Sequence, residues 1–147
     1  MVKALITAAR NGKKVTAVVE LLARFDEESN IKWSKRMQEE GVNVIFGVEG
    51  LKIHSKLLYI ESKKGNIACI GTGNFHEGNA KIYTDYLMMT ARPKIVNEVA
   101  KVFDFIDRPF SPFRFNELLV SPNSMNCLLY TSPSPRDAHE SRMPSSA

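Results

Sequence analysis

Apolar positions near the start of the chain fall at Val2, Leu5, Ile6 and Ala9, one face of a helix, and Asn11-Gly12 supplies its stop. VTAVVELL (15–22) is continuous and β-branched instead, which predicts a buried parallel strand. ARFDEES then reads as a loop, with Asp26 or Ser29 able to cap a second helix over about 28–40 that Gly41 ends. VNVIF (42–46) is the next strand, so the chain opens helix–strand–helix–strand, the α/β pattern. GVEGLK (47–52) is a glycine-bracketed turn. Strands at 56–61 and 66–70 flank the basic turn SKKGN, and GTGNFHEGN (71–79) is a second glycine-rich loop. YTDYLMMTA (83–91) predicts a further strand. Pro93 opens a helix with an apolar stripe at Ile95, Val99, Val102 and Ile106, and PFSPF (109–113) closes it as a domain boundary.

From Cys127 onward the apolar pattern stops. TSPSPRDAHESRMPSSA is rich in Ser and Pro and cannot bury a core, so disorder is expected there. The expected organisation is one domain over 1–112, a linker over 113–126, and a tail over 127–147. At 147 residues the chain is long enough for one domain with a core. No apolar run approaches the ~20 residues of a membrane-spanning helix, and no signal-peptide order opens the chain, so a cytoplasmic location is expected. The formal net charge of +4 lies within residues 1–126, because Arg136 and Arg142 offset Asp137 and Glu140 in the tail. That excess suits a polyanionic ligand. The Lys/Arg runs with interleaved aromatics that mark nucleic-acid binding are missing, and nucleic acid is not an expected partner. Cys69 and Cys127 have no metal-type spacing, and Cys69, inside NIACIG, reads as a buried core thiol.

Candidate chemistry gathers at the expected strand ends. His54 and Lys56 stand at the start of one strand, and if that strand runs antiparallel to its neighbours, its start reaches the edge where GTGN lies. His54 is then a half-buried strand-entrance histidine or a nucleophile. Lys56, two residues on, would share its face, and an imidazole beside an ammonium makes sense with an anion between them. Gly71, Thr72, Gly73 and Asn74 form an ordinary turn, or a loop whose amides and side chains hold an anion. Arg24 is a surface ion-pair partner or a phosphate clamp. Tyr83 is a core residue or a nucleotide-stacking one. His76 reads as solvated, and His139 lies in the tail.

The stretches VELLARFDEESNIKW, GVNVIFGVEGLKIHSKL, IGTGNFHEGNAKIYTDYLMMTA and FDFIDRPFSPFRFNELLVSPNS together resemble bacterial polyphosphate kinases of the long, histidine-phosphorylated type. The resemblance covers nearly all of residues 2–125 and points to the first of that family's two C-terminal domains. It implies a phospholipase D-like fold, a mixed sheet flanked by helices. It implies reversible transfer of the ATP terminal phosphate to inorganic polyphosphate, with ADP as product and Mg²⁺ as cofactor. By resemblance His54 is the phosphorylated histidine, and Lys56 and Asn74 belong to the His-x-Lys…Asn signature. Tyr83 contacts nucleotide. Arg24 serves the magnesium–phosphate site by gripping phosphate oxygens, since a guanidinium cannot ligate Mg²⁺. The missing family domains would be further partners, and the full enzyme is expected to be a homodimer, at most peripheral to a membrane. Against the family pattern this chain is expected to be a fragment whose tail is foreign and whose activity alone is in question. Two other functions fit the residues: a phospholipase D-like phosphodiesterase half-site, and a non-catalytic polyanion-binding module.

Overall fold

The computed structural model describes residues 1–20, 27–48, 50–109, 112–122 and 124. They divide into a compact unit ending at Pro112 and a second unit that starts at Phe113.

In the first unit α1 (Val2–Arg10) buries Ile6 and leaves Val2, Leu5 and Ala9 half-buried beside it. Its end follows from Gly12, whose φ of +73° lets the chain turn back so that the Gly12 and Lys13 amides donate to the Ala9 and Ala8 carbonyls. α2 (Glu27–Glu39) carries Glu27 and Glu28 in its first turn, where carboxylates favour the helix dipole. It ends at Gly41, φ +82°, with the Val42 amide donating to the Met37 carbonyl at 3.0 Å. Between the helices' partners run β1 (Thr16–Val18) and β2 (Asn43–Ile45), parallel as the pattern predicts, with Thr16 opposite Asn43 and Val18 opposite Ile45. Ile6, Met37 and Val42 form the buried centre here, and Val15, Ala17, Val19 and Val44 pack around it. The Arg10 guanidinium grips the Glu40 carboxylate with two hydrogen bonds, tying the end of α1 to the end of α2.

A second sheet is an antiparallel meander of β3 (Lys56–Ile60), β4 (Ile67–Gly71) and β5 (Leu87–Thr90), in that order. The β3–β4 turn is closed by the Ser62 hydroxyl donating to the Gly65 carbonyl at 2.7 Å. α4 (Pro93–Asp107) lies against β3 and β4 and buries Val96, Val99, Val102 and Ile106, while Ala68 and Cys69 of β4 are buried beneath. The stripe differs from the expected one at its start. Val96 is buried where Ile95 is only half-buried, and Glu98 is buried as well, with its own partner.

The α/β class with flanking helices is therefore right, but the described strands form two hydrogen-bonded sheets rather than one mixed sheet. Two local expectations also change. A short helix, α3 (Glu77–Ile82), takes the end of the expected loop 71–79 and runs up to the start of the expected strand 83–91, and β5 begins only at Leu87. EGNAKI has weak helix formers at Gly78 and Asn79, which hides the helix from pattern reading. A Lys81–Glu77 pair at 3.0 Å supports it, and His76 Nδ1 accepts the Gly78 amide just before it. In the second unit Phe113, Phe115 and Leu118 are half-buried and Leu119 is exposed. The expected disordered tail, with Cys127 and His139, lies outside the described residues.

Candidate functional site

The β3–β4 ladder decides the geometry. Because the pair is antiparallel, Lys56, the first residue of β3, stands opposite Gly71, the last of β4. The start of one strand and the glycine-rich loop after the other thus share a sheet edge. Two residues past that pair on each chain are His54 and Gly73. β5 completes the edge, with Leu87 opposite Gly71.

His54 is not itself in the strand. Residues 52–55 carry no ladder pairing, so the same-face argument from strand alternation does not apply to His54 and Lys56. They meet through a different contact: the Lys56 ammonium donates to the His54 carbonyl. His54 is exposed. Lys56 is half-buried, and that burial pushes its ammonium below the ordinary lysine range, while the charge of Asp85 pulls it back up.

Asp85 is the residue that pattern reading missed. Its carboxylate accepts the Thr72 hydroxyl at 3.0 Å, and the Thr72 oxygen in turn accepts the Tyr86 amide at 2.9 Å. The Thr72 amide donates to the Tyr86 carbonyl at 3.0 Å, which extends the β4–β5 pairing by one step. The carboxylate lies directly over Gly73, so a Cβ there would fall 1.9 Å from Asp85 Oδ2. A glycine is required at 73 for that close approach rather than for its backbone angle, since Gly73 is not among the positive-φ glycines. The signal was present in YTDYLMMTA, where Asp85 is the single charged residue in an otherwise uncharged run facing a glycine loop.

Asn74 is exposed, and its carbonyl accepts the His76 amide at 2.7 Å, which turns the loop toward α3. Tyr83 follows α3 directly and is 64% exposed, which rejects the core alternative. His76 is exposed, as expected. Arg24 lies outside the described residues. The structure thus brings together His54, Lys56, Gly71, Thr72 and Gly73, adds Asp85, and leaves Asn74 and Tyr83 on the surface beyond them.

This edge offers an anion a glycine-rich loop and an ammonium that is seated on the His54 carbonyl and lies within the field of the Asp85 carboxylate. For a divalent cation it offers little: among the described residues no three His, Cys, Asp or Glu side chains converge, and the Asp85 carboxylate already accepts the Thr72 hydroxyl. A hard cation bound by one carboxylate needs substrate phosphates for most of its ligands. Among the described residues no helix is long and apolar enough to cross a membrane.

Comparison with known proteins shows the family. The model of the polyphosphate kinase C-terminal domain 1 matches residues 1–112. The polyphosphate kinases of Vibrio parahaemolyticus and Escherichia coli K12 are each 54% identical over 134 residues, 88% of this chain. The crystal structure of polyphosphate kinase from Porphyromonas gingivalis superposes with a TM-score of 0.70 at 39% identity, over 88% of this chain and 22% of that one. The chain spans about a fifth of the length of the curated relatives it matches, 19% and 20% of these two. With its mixed α/β architecture and the matched stretch coinciding with the whole first unit, the chain belongs to the polyphosphate kinase C-terminal domain 1 family.

Proposed function

We propose that this chain supplies the phosphoryl-accepting edge of a polyphosphate kinase, which moves the terminal phosphate of ATP reversibly onto inorganic polyphosphate by way of phosphorylated His54. An imidazole nitrogen of His54 attacks the γ-phosphorus while the bond from that phosphorus to the β–γ bridging oxygen breaks, and ADP leaves with the electron pair. The second ring nitrogen keeps its proton. A terminal oxygen of polyphosphate then attacks the same phosphorus, the N–P bond breaks, and the imidazole is restored.

Charge on the three equatorial oxygens is what the protein must stabilise in both steps. Lys56, the Gly73 amide beyond the end of the ladder and the Asn74 side chain have that role, and Arg24 adds a guanidinium fork. At rest the Lys56 ammonium rests on the His54 carbonyl with Asp85 close by. An arriving phosphoryl group competes with both for it. Lys56 is thus kept near the nucleophile before substrate binds, and less reorganisation is left for the reaction. Tyr83, exposed at the end of α3, gives a base a surface on which to stack. Mg²⁺ would be supplied with the nucleotide and would neutralise charge on its phosphates, whose oxygens Arg24 would grip, and no step here draws on metal ligands from this chain.

The antiparallel Lys56–Gly71 pairing supports the reading, because the histidine segment and the glycine-rich loop share one edge. The test is incubation with γ-labelled ATP and Mg²⁺. Label that is acid-labile, base-stable and lost in His54→Ala is the expected result. Hydrolysis of a phosphodiester without ATP, dependent on His54, would overturn it in favour of the phosphodiesterase reading. Retention of polyphosphate without any labelling, even when the remaining domains of the relatives are added, would leave a binding module instead.

A further inference from the structure

Residues 52–55 lack ladder hydrogen bonds, yet they carry the proposed nucleophile. Something outside the sheet has to fix them, since a catalytic side chain on an unanchored segment loses orientation. The Ile53 amide, next to His54, donates to Glu20 Oε2 at 3.1 Å. Glu20 is half-buried and follows Val19, whose amide donates to the Ile45 carbonyl and so extends the parallel sheet. The Glu20 backbone is anchored independently, because its carbonyl accepts Asn30 Nδ2 of α2 at 3.1 Å. The His54 segment is therefore held on one side by Glu20, through the Ile53 amide, and on the other by Lys56, through the His54 carbonyl.

We infer that Glu20 is a positioning residue for His54: its carboxylate pins the Ile53 amide and thereby sets the imidazole relative to the Lys56–Gly71 edge. The role rests on the proposed phosphohistidine reaction. It needs an acceptor at the end of a side chain of this length. Charge is secondary. Glu20 also stands immediately before residues 21–26, which contain Arg24. One side chain thus links the segment of the proposed nucleophile to the root of the segment of the proposed phosphate clamp.

Three variants of the chain separate acceptor, charge and length. Glu20→Gln keeps an oxygen acceptor at the same reach. Glu20→Met keeps the length without an acceptor. Glu20→Asp keeps the charge and withdraws the oxygen by one methylene. Amide exchange at Ile53, followed by NMR, should stay at the parental level in Glu20→Gln and quicken at least about tenfold in Glu20→Met and Glu20→Asp. Acid-labile labelling of His54 should follow the same order, within about twofold of parent in Glu20→Gln and down about tenfold in the other two. Equal Ile53 protection in all four proteins would overturn the tether, and so would loss of protection in Glu20→Gln. Full labelling in Glu20→Asp despite a fast-exchanging Ile53 would overturn the positioning role. Should Glu20→Met not fold, Glu20→Gln against Glu20→Asp decides by the same criteria. A parent chain that takes no label even when the remaining domains of the relatives are added, but shows the expected exchange pattern, upholds the tether and counts against the phosphohistidine reaction.

Discussion

Gly73→Ala and Gly71→Ala are the same chemical change two residues apart, and the structure gives them different outcomes. At Gly71 the nearest atom to an added methyl is Leu87 Cδ1 at 3.3 Å, with Gly73 O and Lys56 Cβ both at 3.6 Å, so a small shift of one leucine branch accommodates it. At Gly73 the methyl would fall 1.9 Å from Asp85 Oδ2, 2.2 Å from its Cγ and 2.7 Å from Oδ1, and the whole carboxylate must leave. Asp85 is exposed, so it can swing into solvent instead of straining the sheet. The stability cost is then the lost Thr72–Asp85 hydrogen bond, about 0.5–1 kcal/mol at an exposed site. The alanine's reduced unfolded-state entropy returns about 0.4–1 kcal/mol. Gly73→Ala should therefore unfold in urea within about 1 kcal/mol of parent, as should Gly71→Ala. The difference appears at Lys56. Burial lowers its ammonium and Asp85 raises it, so removing Asp85 from the edge must lower it further. An NMR titration of the Lys56 Cε protons should give a lower midpoint in Gly73→Ala and in Asp85→Asn, and the parental midpoint in Gly71→Ala. In the Asp85→Asn background Gly73→Ala should add little more to the Lys56 shift, the non-additivity of two changes acting through one contact. A parental Lys56 midpoint in Gly73→Ala, or a further full shift in the Asp85→Asn background, refutes the reasoning.

Lys56 also predicts a pH dependence of stability. Its folded value lies below the ordinary 10.5, so between the two the unfolded chain holds a proton that the native one has lost, and stability rises with pH across that window. Tyr59 has the opposite sign: burial first, then the charges of Glu61 and Asp104, raise it above the ordinary 10.0, so its contribution is complete below 10.0 and is lost as pH climbs through the raised value. Urea unfolding of Lys56→Gln against parent should lose the rise in stability that the parent shows as pH approaches 10.5 from below, and an unchanged slope would show the burial to be inconsequential. Val99 has no exposed surface, so Val99→Ala should cost about 2 kcal/mol in the same assay, whereas a cost under about 0.5 kcal/mol would mean that α4 repacks over β3 and β4.

Most of the fold was legible where side-chain periodicity and glycine agree. α1 and its Gly12 stop, β1 and β2 as a parallel pair around α2, and the β3–β4 hairpin all follow from local pattern, because each has one apolar face and a defined end. What stayed hidden depends on contacts between elements. The division into two sheets is a matter of which strand edges meet, and no strand's own residues encode that. α3 is held by an ion pair and by a histidine before it, against weak helix propensity. Val96 and Glu98 are buried because α4 presents a slightly rotated face to the meander, a rotation of about one residue that a stripe alone cannot distinguish.

The candidate site was legible in its parts but not in its connections. His54, Lys56 and the Gly71–Asn74 loop could be named from residue type, and the antiparallel condition that joins them is met by the Lys56–Gly71 pair. The link expected between His54 and Lys56 was a shared strand face; the link found is a side chain on a backbone carbonyl. That difference changes what each residue can do. An ammonium sharing a strand face with an imidazole would mainly repel the protonated ring. An ammonium seated on the His54 carbonyl fixes the backbone of that residue, and Glu20 holds the preceding amide from the other side. Asp85 then acts on Lys56 from just before β5, across the glycine that makes room for its carboxylate. Lys56 and Glu20 thus hold the segment of one exposed histidine from two sides. Its surroundings could not be read from GLKIHSKL alone, because Glu20 and Asp85 lie 34 residues before it and 31 after it.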